Sequence, residues 1–120
     1  MIDAGTELIQ KMDEYGYQPD AAFWLYSSEQ QKWKLVLSEI KVGEEGPKQV
    51  YQRIQKILSG SPKILGKLSL EDISLVKPSE PIVLLLAIAI RTGPGINGIR
   101  FTNNVINGVL IEDAYIYRII

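Results

Sequence analysis

A chain of 120 residues, 46% hydrophobic and 22% charged, has the size and composition of one globular domain, so residues 1–120 are expected to fold as a single unit. With 13 Lys plus Arg against 14 Asp plus Glu, the net charge of -1 creates no strong field toward polyanions or membranes and gives little protection against self-association. The absence of both cysteine and histidine excludes disulfides, thiolate nucleophiles, Ser-His-Asp and Cys-His machinery and most zinc or iron sites, so no cofactor or metal is expected.

The first ten residues, MIDAGTELIQ, show no basic stretch leading into an apolar run, so no secretory leader is expected. The longest apolar run, Ile82 to Ile90, is far short of the ~20 residues that cross a bilayer. The expectation is a cytoplasmic protein with no membrane contact.

In chain order, Ala4 to Tyr15 read as a first helix. Asp3 or Thr6 is placed to cap it, Leu8, Ile9 and Met12 form its apolar side, and Gly16 is placed to end it. From Ala21 the texture changes to AAFWLYSSEQQKWKLVLSEI, two aromatic and β-branched runs joined by Ser28-Glu29-Gln30-Gln31, which predicts a β-hairpin. That loop sets Tyr26 opposite Trp33 and Trp24 opposite Leu35. One face then carries Trp24, Tyr26, Trp33, Leu35 and Leu37 and is the better core candidate; the other carries Phe23, Leu25, Lys32, Lys34 and Val36. Lys32-Trp33-Lys34 has the residue types that hold single-stranded nucleic acid. On a strand, however, the two lysines point away from the tryptophan, and a core Trp with solvated lysines is the stronger reading.

After Val42-Gly43-Glu44-Glu45-Gly46, a second helix is predicted from Pro47 to about Ser59, with Gly60 as a left-handed cap. Val50, Ile54, Ile57 and Leu58 make its apolar stripe, bordered by Tyr51, and the basic remainder reads as a solvated face. Ser61 to Gly66 form a loop. The stretch LSLEDISLVKP then suggests a short strand before Pro78, with Glu71-Asp72 in a turn or bulge. Adjacent carboxylates on an extended chain diverge, so that pair makes a poor acid/base couple or metal site. Ser79-Glu80-Pro81 is a helix start, and Ile82 to Ile90 is assigned to a helix. Apolar all round, that helix belongs at the centre of the core or in a subunit contact.

The loop RTGPGING, Arg91 to Gly98, lacks both glycine spacings of the phosphate-cradling motifs. A need for positive φ at Gly93, Gly95 or Gly98 explains it, although Arg91 and Arg100 on its flanks keep an anion role in view. The chain closes with GIRFTNNVINGVLIEDAYIYRII, where a two-residue Asn107-Gly108 turn of type I′ predicts Ile106 opposite Val109. One face of this second hairpin then carries Ile99, Phe101, Val105, Leu110, Ala114 and Ile116 as core, with Asn103 opposite Glu112. The other pairs Arg100 with Tyr115, Thr102 with Asp113 and Asn104 with Ile111, and ends in Tyr117.

The element order predicts an α+β domain: a mainly antiparallel sheet of about five strands, two hairpins plus a middle strand, with about three helices packed on one face. Whether the two hairpins share one sheet is open. The strand from Leu110 to Ile120, if an unprotected edge, invites pairing with another chain, so a homodimer or a covering complex is expected.

Arg91, Arg100, Thr102, Asp113, Tyr115 and Tyr117 are the candidate binding residues, because arginine and tyrosine combine large contact area with directed hydrogen bonds. The preferred reading is a small non-catalytic interaction or accessory protein that binds a protein partner or itself through this face. The alternative is a small-ligand or nucleotide site, or an enzyme built on it. There Arg91 and Arg100 take an anion, Tyr115 stacks, and Asp113 serves as a general base with its pKa raised by burial. A purely structural account, a Thr102/Asp113 hydrogen bond and an Arg100/Tyr115 stack, explains the same residues. Nucleic-acid binding through Lys32, Lys34, Lys48, Arg53 and Lys56 is disfavoured by the near-neutral charge.

Overall fold

The computed structural model describes the backbone of residues 1–40 and 46–120, so most of the segment between the first hairpin and the second helix lies outside the described residues. The elements are helix α1 (Ile2–Glu14), strands β1 (Pro19–Ser27) and β2 (Lys32–Ile40), helix α2 (Pro47–Gly60), a 3₁₀ turn (Leu70–Asp72) leading into β3 (Ile73–Val76), helix α3 (Pro81–Ala89), and strands β4 (Ile99–Ile106) and β5 (Val109–Ile119). This is the expected α+β architecture with three helices and a five-stranded, mostly antiparallel sheet. The strand order is β3-β2-β1-β5-β4.

The two hairpins share the sheet through an antiparallel β1–β5 pairing, while β3 joins β2 in parallel. The terminal strand β5 is therefore interior, and the expectation that it forms an open edge is overturned; β3 and β4 are the edges. On the β3 side, the Tyr51 hydroxyl accepts from the Leu75 N–H at 3.2 Å, so α2 satisfies part of that edge.

Two buried clusters sandwich the sheet. Leu8, Ile9 and Met12 of α1 and Val50, Ile54, Ile57 and Leu58 of α2 pack on Ala22, Trp24, Leu35, Leu37 and Tyr117. Val83 and Leu86 of α3 pack with Ala21, Phe23, Val36, Ala114 and Ile116. Because side chains alternate along a strand, these sets lie on opposite faces, and the helices cover both faces rather than one. Both sides of the first hairpin are accordingly buried, including Phe23 and Val36 on the face not expected as core. Fully burying side chains such as Leu8 and Phe23 contributes roughly 1.5–3 kcal/mol each.

Local differences have local causes. Helix α1 starts two residues before the expected Ala4, with no side-chain cap; Asp3 sits in its first turn, and Thr6 Oγ1 donates back to the Ile2 carbonyl at 3.0 Å. Gly16 ends the helix at φ 81° as expected. Gly60 is the last residue of α2 rather than a left-handed cap, and positive φ among glycines occurs at Gly16, Gly66 and Gly108, not at Gly93, Gly95 or Gly98. Helix α3 is a surface helix: Val83 and Leu86 face inward while Leu84 and Ile88 are exposed. None of the helices is long and apolar enough to cross a membrane, among the described residues.

Candidate functional site

The closing hairpin has the predicted turn, with positive φ at both Asn107 (49°) and Gly108 (78°), and the predicted register, Arg100 opposite Tyr115, Thr102 opposite Asp113 and Ile106 opposite Val109. One rung differs. Asn103 takes a left-handed conformation at φ 49°, and no pairing joins it to Glu112. Glu112 turns instead to the first hairpin's loop, its carboxylate accepting from the Ser28 hydroxyl at 2.7 Å and the Ser28 N–H at 3.1 Å.

Beyond this break the faces exchange. Ile106 and Ile111 enter the α3-side core, whereas Val105 and Leu110, expected inside, stand 66% and 54% exposed. By alternation they project on the same side as Thr102 and Asp113.

On that side the Arg100 guanidinium grips Asp113 through two parallel hydrogen bonds, Nε to Oδ1 at 2.6 Å and Nη2 to Oδ2 at 2.5 Å, and Thr102 Oγ1 adds a third at 3.3 Å. The planar fork of arginine matches a carboxylate in this bidentate manner. The Arg100 hydrogen bonds hold the Asp113 carboxyl below its usual range, more than offsetting the partial burial that would raise it; Thr102 and the Ala114 N–H act in the same direction. The guanidinium is correspondingly raised. A carboxylate held ionised in this way runs against the expectation of Asp113 as a base with a raised pKa.

Arg100 also lies over the Trp33 ring, 5.8 Å from its centroid, so the aromatic partner is not the directly opposed Tyr115. Trp33 packs in turn on Tyr26, with centroids 5.3 Å apart and rings tilted by 56°. Both rings are half-buried and extend the site across the sheet. Tyr115 meets the edge of Tyr117 at 5.4 Å, and its hydroxyl occupies the space where a side chain on Gly98 would stand. Close approach, not backbone conformation, is what that glycine provides.

The structure thus brings together Arg100, Thr102, Asp113 and Tyr115, while Tyr117 touches Tyr115 but is buried in the core and Arg91 lies apart. Tyr117 is 1% exposed: it accepts from Trp24 Nε1 at 2.9 Å and donates to the Ile2 carbonyl at 2.6 Å beneath α1, and burial pushes its pKa up to about 12. Arg91 donates to the Ile120 carbonyl, just past the end of β5 and five residues from Tyr115, on the order of 16 Å away at the rise of an extended chain. The Arg91–Arg100 anion clamp is therefore not formed.

Sequence reasoning missed the contributions of Tyr26 and Trp33, which required the β1–β5 pairing. It also missed Arg118, 1% exposed, which grips Asp13 at 2.6 and 3.2 Å and donates to the carbonyls of Pro19 and Gly95. Its only signal was a lone arginine in an apolar terminal strand. The lysines split: Lys32 and Lys34 alternate onto the face opposite Trp33, and Lys34 donates to the Glu71 carbonyl, whereas Lys48, Arg53 and Lys56 lie on α2 over the other face. Among the described residues no group of three or more acidic side chains is placed to hold a metal ion.

No known family, no curated protein and no solved structure matches the chain.

Proposed function

We propose that the chain is a small non-catalytic interaction protein that binds a protein partner, or a second copy of itself, through the open side of the β4–β5 hairpin. The observation that carries this reading is the break at Asn103. It sets exposed Val105 and Leu110 beside the Arg100–Asp113 pair and the half-buried Tyr26 and Trp33, so one surface combines apolar, aromatic and directed polar groups. Aromatic and arginine anchors within such a surface supply most of the binding energy at protein interfaces. The ionised Asp113, held by Arg100 and Thr102, suits recognition better than proton transfer, and a guanidinium whose charge is already offset by that carboxylate is a weaker site for a ligand anion.

The test is sedimentation velocity together with affinity capture for wild type, Val105→Glu/Leu110→Glu and Arg100→Ala. The first variant changes only exposed side chains, so its thermal midpoint should stay within a few degrees of wild type. Loss of self-association or of a captured partner in both variants is the expected result. Unchanged assembly and capture in both would overturn the assignment.

A further inference from the structure

The two margins of the sheet are protected unequally. On one side β3 is four residues long, and its Leu75 N–H is already taken by the Tyr51 hydroxyl. At the other end of the strand order, β4 runs for eight residues with no proline and a single charged side chain, Arg100, whose charge Asp113 offsets. Lysines, prolines and very short strands are what keep a sheet edge from pairing with another chain, and β4 has none of them. Its one irregularity, Asn103 at φ 49°, leaves residues 99–102 as a regular stretch.

Helix α3 lies along this same margin. Among the strands it approaches β4 most closely, and its buried side packs with Ala114 and Ile116 of β5, so it stands over the β4–β5 ribbon. No residue of α3 has a polar side chain, and Leu84 and Ile88, one turn apart, are 54% and 62% exposed. An open strand edge and an exposed apolar helix surface therefore share one side of the molecule.

We infer that a second copy of this chain docks at this margin, the two β4 strands pairing antiparallel about a two-fold axis so that the sheets merge and the α3 helices pack beside each other. A row of edge N–H and C=O groups is matched by another strand. The protected β3 edge does not serve, so β4 meets β4, and the contact closes as a dimer instead of running on as a filament. A copy also supplies what a lone foreign strand lacks, a second apolar helix, and a two-fold axis normal to the sheet sets it on the same face. Strands about 4.8 Å apart, each with a helix over its β4–β5 gap, bring the helix axes about 10 Å apart, close to the usual packing distance.

Faces and charge fix the register. Opposed residues share a face, so a strand paired with its own copy has one residue on the axis. Arg100 there would set like charges side by side, and Thr102 there would draw Asn103 into the central rungs. Phe101 on the axis avoids both and sets Arg100 opposite the partner's Thr102. The Thr102 carbonyl accepts from Asn104 Nδ2 at 2.9 Å with one of its two lone pairs and keeps the other for this pairing. The contact uses the edge and the α3 side, not the face that carries Val105 and Leu110.

The experiment is sedimentation velocity over a concentration series, together with oxidation of single-cysteine variants; the chain has no cysteine, so each thiol reports its own position. Wild type should be a dimer at micromolar concentration. Leu84→Lys/Ile88→Lys changes only exposed side chains and should keep the wild-type circular dichroism while weakening the dimer by roughly tenfold or more. Phe101→Cys should form an intermolecular disulfide, because opposed residues stand about 4.5–5.5 Å apart between Cα atoms, within disulfide reach. Val105→Cys, four residues from the axis and so roughly 26 Å from its copy, should not. A monomer at every concentration, a dimer indifferent to the α3 variant, or equal crosslinking at both positions would each overturn the inference. Val105→Glu/Leu110→Glu separates it from the hairpin-face reading. That variant should leave this dimer intact, and its dissolution would place the second copy on the hairpin face instead. An intact dimer with partner capture unchanged, there and in Arg100→Ala, would overturn the hairpin face and leave the β4 contact standing.

Discussion

At the scale of single residues, Tyr117 shows how a polar group is accommodated in the core. Its hydroxyl accepts from the Trp24 indole and donates to the Ile2 carbonyl, so both of its roles are used and the first turn of α1 is fastened to the sheet. The contact leaves no room beside it: a Cβ on Gly5 would overlap the Tyr117 hydroxyl. Gly5→Ala should therefore lower stability by about 1–3 kcal/mol despite the better helix propensity of alanine. Tyr117→Phe in the same chain should recover part of the loss, a coupling that a double-mutant cycle in urea measures. Tyr117 also has an alkaline signature. Its pKa is raised to about 12 from an unfolded value near 10, so the folded state holds the proton more tightly. That contribution is fully present below about pH 10 and disappears as pH rises through about 12. Stability measured across that range should fall in wild type more steeply than in Tyr117→Phe, and one of the six tyrosines should ionise late by ultraviolet absorbance. Asp113 runs the other way: with a lowered folded pKa, its contribution is present above the ordinary carboxylate range and is lost as pH falls through the lowered value.

At the scale of elements, the β4–β5 hairpin is two ribbons of opposite facing joined at Asn103. The left-handed residue lets the strand continue while its inward and outward sides exchange, and Glu112, freed from the ladder, ties the β1–β2 loop to β5. Asparagine tolerates that conformation, glycine adopts it without penalty, and a β-branched residue does not. Asn103→Gly should accordingly leave the thermal midpoint near wild type, whereas Asn103→Val should destabilise by about 1–3 kcal/mol. If valine there were instead accommodated at no cost, Val105 and Leu110 should become protected and Ile106 and Ile111 exposed, which solvent-accessibility labelling of engineered cysteines would detect.

At the scale of the whole molecule, Arg118 joins parts that are distant in the chain: α1 through Asp13, the start of β1 through Pro19, and the segment before β4 through Gly95. The two ends of the ion pair are unequal, since the Arg118 side chain is 1% exposed and that of Asp13 is 27% exposed. Removing the acid strands a buried guanidinium, while removing the base leaves a carboxylate that can reach water. Asp13→Ala should thus cost about 3–5 kcal/mol, and Arg118→Met distinctly less, by chemical denaturation. Equal costs for the two would show that the bonds from Arg118 to the carbonyls, rather than the charge pair, hold these segments together.

What the chain determined by itself is local. Loop length and the two-residue period of a strand were enough for both hairpin registers, down to Tyr26 opposite Trp33 and Thr102 opposite Asp113, because each depends on residues close in sequence. Three-residue signals such as Ser79-Glu80-Pro81 and the apolar stripe of α2 placed helices for the same reason. Tertiary structure alone decided that the hairpins join through β1 and β5, that α3 covers the face opposite α1 and α2, and that Tyr117 and Arg118 are buried while Val105 and Leu110 are not. Periodicity reports which side chains share a face, not which face finds a partner. That choice rests on burial between elements tens of residues apart, and at Asn103 it reversed the faces that an uninterrupted ladder would have kept.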